Sequence, residues 1–214
     1  MDERTLDAIQ KSYDRVADEY ARRMFSELNN KPLDRELLSR FAFELKDKGE
    51  ICDMGCGPGH VARYLRDHGA DVFGLDLSAG MLEEARRLNP DITFREGNML
   101  ALHLPDASLA GITAFYAIVH LPAEAVAAVF REMARVLQPG GLLLLAFHIG
   151  DETLHRDAWW DRPVSLEFHF FSPQAIGRDL EAAGLVIEEV IEREPYAPDV
   201  EHQSRRAYAF ARKP

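Results

Sequence analysis

The stretch Ile51-Cys52-Asp53-Met54-Gly55-Cys56-Gly57-Pro58-Gly59-His60 decides how the rest of the chain reads. Four residues suited to a buried strand run into a turn with glycine at every second position, and a helical segment follows over 59–68. A strand, a glycine-rich turn and a helix in that order form a corner of an open α/β sheet, and ligands bind outside the carboxyl ends of such strands. Glycine lets the backbone itself approach a ligand. After the next strand comes Asp76, 21 residues beyond Gly55. A carboxylate at that place can accept from both hydroxyls of a ribose.

Working outward, short apolar runs at Ile51–Met54, Val72–Leu75, Ile92–Arg95, Gly111–Phe115 and Leu142–Phe147 read as strands. Helices are expected between them at 59–68, 79–88 and 123–137. Gly69 ends the first, Ser78 caps the second and Pro122 opens the third. Val126, Val129, Phe130, Met133, Val136 and Leu137 give the third helix a continuous apolar stripe. Strands alternating with such helices imply a parallel sheet covered on both faces. Ahead of them, Leu6, Ile9, Tyr13, Val16, Ala17, Tyr20 and Met24 recur at steps of three and four, which predicts an amphipathic helix over 4–26. Pro32 opens a second helix that stops at Gly49. Behind them come a helix over 173–183 and two late strands at about 185–194 and 204–212.

With 214 residues and 47% hydrophobic content, the chain can bury a full core as one domain. Its 25 Lys+Arg against 36 Asp+Glu give a net charge of −11. That excess of acid argues against sequence-independent nucleic-acid binding and against docking to an anionic membrane. Two cysteines do not make a disulfide framework, and the start MDERTLDAIQ has no apolar signal core. The cytoplasm is the expected location.

Two cofactor classes use a glycine turn followed by an acid. A dinucleotide site wants glycine or alanine at position 60, where this chain has His60. Asp53-Met54-Gly55-Cys56-Gly57-Pro58-Gly59 instead resembles the first motif of the class I S-adenosylmethionine-dependent methyltransferases of small-molecule type. Asp76-Leu77-Ser78 resembles their ribose-binding acid, Gly97-Asn98-Met99 the segment that meets adenine, and Tyr116–Leu121 the region after the fourth strand. Arg131–Gly141 is similar to the helix and Pro-Gly-Gly turn before the fifth strand, and Tyr13–Tyr20 to an N-terminal segment covering the cofactor. The resemblance spans residues 11–148 well. It implies a doubly wound, mostly parallel seven-stranded α/β sheet, a Rossmann-like methyltransferase fold. An N-terminal helical lid would occupy 1–48, the cofactor-binding domain 49–214, and a substrate-pocket insertion 149–172.

It further implies S-adenosylmethionine as cofactor, S-adenosylhomocysteine as product and no metal. The cofactor contacts would be Tyr13, Tyr20, Asp53, Gly55, Cys56, Gly57, Gly59, Asp76, Leu77, Met81, Asn98, Met99 and Phe115. The acceptor is expected to be a small molecule meeting Tyr116, Trp159 and Trp160, in a monomer or homodimer. An RNA or protein methyltransferase on the same fold, or a non-catalytic regulatory protein that binds the cofactor, are the competing readings. Three positions depart from the family pattern. Asn98 stands where Asp is common, and its side-chain carbonyl would accept from an exocyclic amine. Ala110 and Val119 replace a common Asp and a second His, so no paired-histidine mechanism carries over.

His120 follows the fourth strand and His148 ends the fifth, both on the ligand side of the sheet. An unperturbed pKa of about 6.5 would suit either as a general base. Within 153–172, Val164, Leu166, Phe168 and Phe170 alternate with Ser165, Glu167, His169 and Phe171, which predicts a strand with one apolar face. Cys56 is read as a small turn residue whose exposure alone hints at reactivity. Arg205, Arg206 and Arg212 are read as solvated arginines of a terminal strand.

Overall fold

The computed structural model describes residues 1–214. Helix α1 (Glu3–Met24) is capped by Asp2, whose carboxylate accepts from Thr5 N at 2.9 Å. A 3₁₀ turn (Glu27–Asn30) leads into α2 (Pro32–Glu44). Then follow β1 (Ile51–Met54), α3 (His60–Asp67), β2 (Val72–Asp76), α4 (Ala79–Leu88), β3 (Thr93–Glu96) and β4 (Leu109–Phe115). A second 3₁₀ turn (Ile118–His120) precedes α5 (Ala123–Val136) and β5 (Leu137–His148). The chain closes with β6 (Thr153–Trp159), β7 (Arg162–His169), α6 (Pro173–Ala182), β8 (Val186–Arg193) and β9 (Arg206–Arg212).

Seven strands form one sheet in the order β3-β2-β1-β4-β5-β9-β8. Its first five strands are parallel, and β9 pairs antiparallel with both β5 and β8. Strand order reverses between β1 and β4, which makes their carboxyl ends the place for a ligand crevice. The run Leu142–Phe147 shows how the core is divided. Leu143, Leu145 and Phe147 pack with Val126, Val129, Phe130 and Met133 of α5 on one face. Leu142, Leu144 and Ala146 pack with Leu38 and Phe41 of α2 on the other. Alternation along the strand therefore feeds two helical layers. Each buried leucine contributes roughly 1.5–3 kcal/mol.

Several boundaries differ from the sequence expectations. Helix α2 ends at Glu44, short of Gly49, because Asp47 adopts φ 61° and turns the chain early. Strand β5 starts at Leu137 and takes in the Pro-Gly-Gly turn. Leu109 pairs with Leu137 and Gly111 with Leu142, so residues 138–141 bulge between the two pairings. The segment 149–172 holds two strands where alternation indicated one. β6 is exposed along nearly its whole length, so it carries no apolar period. Trp160 and Asp161, with φ 51° and 61°, connect it to β7 as a two-residue hairpin turn. The basic end of the chain is a sheet strand as expected, but Arg206 is not solvated: it is 2% exposed.

Helix α1 lies between α4 and β7. Asp14 Oδ1 accepts from Ser78 Oγ at 2.6 Å and from Gly80 N at 2.9 Å. On the opposite flank, Ser165 N donates to Ser12 Oγ at 2.9 Å and Arg162 Nη2 donates to Asp18 Oδ2 at 2.9 Å. Val16, Ala17, Met81, Val164 and Leu166 form a small apolar cluster beneath it. No helix is long and apolar enough to cross a membrane.

Candidate active site

At the carboxyl ends of β1, β2 and β4, roofed by α1, lies a cleft of about 1010 Å³, part of it open to solvent. Its floor is the Gly55–Gly57 turn. Gly55 has φ 69°, and a Cβ there would sit 2.6 Å from Ala117 Cβ, so only glycine lets the turn close against the segment after β4. Gly57 N donates to Asp76 Oδ2 at 2.8 Å, and Ser78 N donates to Asp76 Oδ1 at 2.9 Å. Burial raises the Asp76 pKa, against the pull of these backbone donors. A carboxylate has about four acceptor sites, so both oxygens can still accept from a diol.

Most of the residues singled out from sequence converge here. Tyr13, Tyr20, Gly55, Cys56, Gly57, Asp76, Leu77, Met81, Asn98, Met99, Phe115, Tyr116 and His120 all line this first chamber. Asp53, His148, Gly59, Trp159 and Trp160 do not. Asp53 is buried behind the turn, where Oδ2 accepts from Ala62 N and Oδ1 from Thr113 Oγ1, both at 3.0 Å. Burial raises its pKa to about 6. It ties β1 to α3 and β4. Gly59, at φ 81°, precedes the first turn of α3, and a Cβ there would strike the Phe94 ring at 2.7 Å. Trp160 stacks on Trp159 at 4.6 Å and meets Tyr20 edge-on.

Two expectations change. Cys56 is 2% exposed, and burial pushes its thiol well above the usual range, so turn exposure is absent. Asn98 Oδ1 accepts from Leu100 N at 2.9 Å. The carbonyl expected to meet an exocyclic amine already holds a local turn and has one lone pair left.

A second chamber adjoins the first. Tyr13, Tyr20, Glu27 and Tyr116 line both. Its walls are Trp159, Phe168 and Phe170 with His148, and the space amounts to about 1480 Å³, including open solvent. His148 faces only this side. Its Nδ1 lies 2.8 Å from Ser204 Oγ, its ring stacks on Phe170, and burial with the Arg206 charge lowers its pKa to about 3. His120 is 9% exposed. Its Nδ1 lies 2.6 Å from Glu167 O and its Nε2 lies 2.6 Å from Tyr13 Oη. Burial lowers its pKa to about 4, so it is neutral at pH 7 rather than poised near 6.5.

Sequence reasoning missed Glu27, Lys31 and His60. Glu27 Oε1 lies 3.0 Å from His60 Nε2, and Lys31 Nζ donates to Glu27 Oε2 at 2.6 Å. Burial opposes its ionisation, but the His60 hydrogen bond and the Lys31 charge prevail and hold its pKa at about 2. The only signal was a charged pair at i,i+4 across a short turn, which ordinarily marks a solvated face.

Residues 51–141 match the family described as a methyltransferase domain. The chain is 33% identical over 148 residues to the 2-methyl-6-phytyl-1,4-hydroquinone methyltransferase of Synechocystis sp., covering 64% of this chain and 46% of that protein. It is 34% identical to the malonyl-[acyl-carrier protein] O-methyltransferase of Enterobacter lignolyticus over 51% of this chain and 43% of that one. It thus spans less than half the length of these curated relatives. The solved structure of a DhpI-SAH complex shares its fold over 100% of this chain and 98% of that one, with a TM-score of 0.75 at 22% identity.

Proposed function

We propose that the chain, whose residues 51–141 match a methyltransferase domain, is a class I S-adenosylmethionine-dependent methyltransferase that moves the methyl group of S-adenosylmethionine to O, N or C of a small-molecule acceptor. The observation that carries this reading is the junction of the two chambers at Tyr13, Tyr20, Glu27 and Tyr116. A crevice suited to a nucleoside opens there onto an aromatic-walled space. The relatives named for hydroquinone and malonyl-carrier acceptors support a small acceptor.

The residues fit the cofactor. Asp76 would accept from the ribose hydroxyls, Leu77, Met81 and Met99 would flank adenine with Asn98 at its edge, and the Gly55–Gly57 backbone would lie along the chain that leads to sulfur. Glu27, ionised at the junction, suits an α-ammonium group. When bound, the cofactor supplies a methyl group on a positively charged sulfur, an electrophile that needs no covalent enzyme intermediate. The protein's task is then positioning, which brings reacting atoms to about 3–3.5 Å. Residues 1–48 serve as the lid, and 149–172 build the acceptor wall through Trp159 and Phe168.

Proton removal falls to Tyr13 and His120. Burial, together with the Asp76 charge, keeps the Tyr13 phenol protonated. Tyr13 can therefore take a proton from an acceptor only while passing its own to His120 Nε2. Calorimetry with S-adenosylhomocysteine and NAD side by side tests the reading. Binding of the first alone is expected, and tight NAD binding without it would refute the assignment.

A further inference from the structure

Building on the proposed methyltransferase reading, we infer that the second chamber receives an acceptor bearing an oxyanion, a carboxylate or a phosphate, seated on Lys31 and Arg206. Both side chains line that chamber, and both are almost wholly buried, at 5% and 3% exposed. Lys31 precedes α2 and Arg206 opens β9, so the two cations come from opposite ends of the chain to flank one ring. Lys31 Nζ lies 5.6 Å and the Arg206 guanidinium carbon 5.7 Å from the Tyr116 centroid.

The neighbouring acids are already committed. Glu201 accepts from Arg193 Nη1 at 2.5 Å and from Tyr196 N at 2.7 Å, with Arg206 Nη1 at 3.1 Å. Glu27 takes His60 and Lys31 as described. The third acid on the wall, Asp199, is exposed to solvent. The cations, in contrast, have donors to spare. Lys31 carries three N–H groups, one directed to Glu27 at 2.6 Å, while Glu201 is 3.9 Å away. Arg206 gives Nη1 to Ser204 O at 2.7 Å and to Glu201 Oε1 at 3.1 Å and Nη2 to His202 O at 3.0 Å, which leaves one Nη2 N–H, and its buried Nε has no partner. Buried donors without acceptors are costly, and a ligand that supplies acceptors removes that cost. An oxyanion supplies them with complementary charge. A cationic acceptor would instead meet the like charges of Lys31 and Arg206 on this wall.

The aromatic walls suit a flat body behind the charged group. A carboxylate could also come from the cofactor's own amino-acid end, so the experiment separates the two sources. With S-adenosylhomocysteine at saturation, the wild-type chain is titrated calorimetrically with 4-hydroxybenzoate, 4-hydroxyphenyl phosphate and the neutral 4-hydroxybenzamide. At least one anion is expected to bind about tenfold more tightly than the amide. That preference should disappear in Lys31→Met and shrink in Arg206→Lys, which keeps the buried charge and so protects folding. Equal affinity for charged and neutral probes, or an anion preference that survives both substitutions, would overturn the inference. So would a Lys31→Met variant that binds S-adenosylhomocysteine more weakly but 5′-methylthioadenosine unchanged, because the cation would then serve the cofactor. If the wild type binds no S-adenosylhomocysteine at all, the methyltransferase reading fails first and this inference with it.

Discussion

Tyr13 Oη lies 2.6 Å from His120 Nε2, and the surroundings decide which atom holds the proton. His120 Nδ1 faces the carbonyl oxygen of Glu167 at 2.6 Å, so it must be the N–H that donates there. Nε2 is then the bare nitrogen, and the Tyr13 hydroxyl donates to it. Helix α1, the turn after β4 and strand β7 meet in this one chain of hydrogen bonds.

His120→Ala should lower turnover by about 100-fold, the low end for loss of a general base, while S-adenosylhomocysteine affinity changes little. Tyr13→Phe, which keeps the ring but removes the hydroxyl, should match it. Single-turnover methyl transfer and calorimetry measure the two quantities separately. Wild-type turnover in either variant would leave the pair with a packing role only.

The same histidine makes stability depend on pH. Its folded pKa of about 4 lies below the unfolded value of about 6.5. Between these values the unfolded chain binds the extra proton, so stability rises with pH through that window and is lost as pH falls toward 4. His148, lowered to about 3, acts in the same sense, whereas Asp53, raised to about 6, acts in the opposite one. The Tm of wild type should therefore fall more than that of His120→Gln between pH about 6.5 and 4. Parallel Tm profiles would contradict the buried neutral assignment.

Asp76→Ala should weaken S-adenosylhomocysteine binding by at least about 1 kcal/mol. Asp76→Asn should not restore it, because one amide NH₂ would confront either Gly57 N or Ser78 N, both of which need an acceptor. Calorimetry of the two variants checks this, and full affinity in Asp76→Asn would show that the acceptor pair is dispensable.

Asp14→Ala removes the acceptor for Ser78 Oγ and Gly80 N. The expected result is a loss of about 1 kcal/mol of stability and faster hydrogen exchange across α1. Unchanged exchange in α1 would mean that packing on β7 alone holds the helix.

How legible was all this in the chain itself? The β1 turn, Asp76 and the alternating helices could be read because glycine spacing and apolar periods are local signals. Asp53 and Gly59 belong to the same motif yet serve the fold behind the turn, since motif membership does not say which way a side chain points. The hairpin of β6 and β7 was half hidden. Its turn is Trp160-Asp161, not the asparagine or glycine that such positive φ angles usually recruit. Glu27, Lys31, Glu201 and Arg206 meet only after residues about 170 positions apart have folded together. Arg206 looked like an ordinary surface arginine because burial of a charge depends on partners that no local pattern names.

The two-sided stitching of α1, through Asp14 to one neighbour and through Ser12 and Asp18 to the other, has a kinetic corollary. A roof fastened along a single edge could swing and trade the nucleoside while leaving the adjoining room undisturbed. Fastened along both, it moves only if the aromatic hairpin shifts as well. On the proposed methyltransferase reading, discharge of the spent nucleoside and of the methylated product would therefore share one motion of α1 with the hairpin.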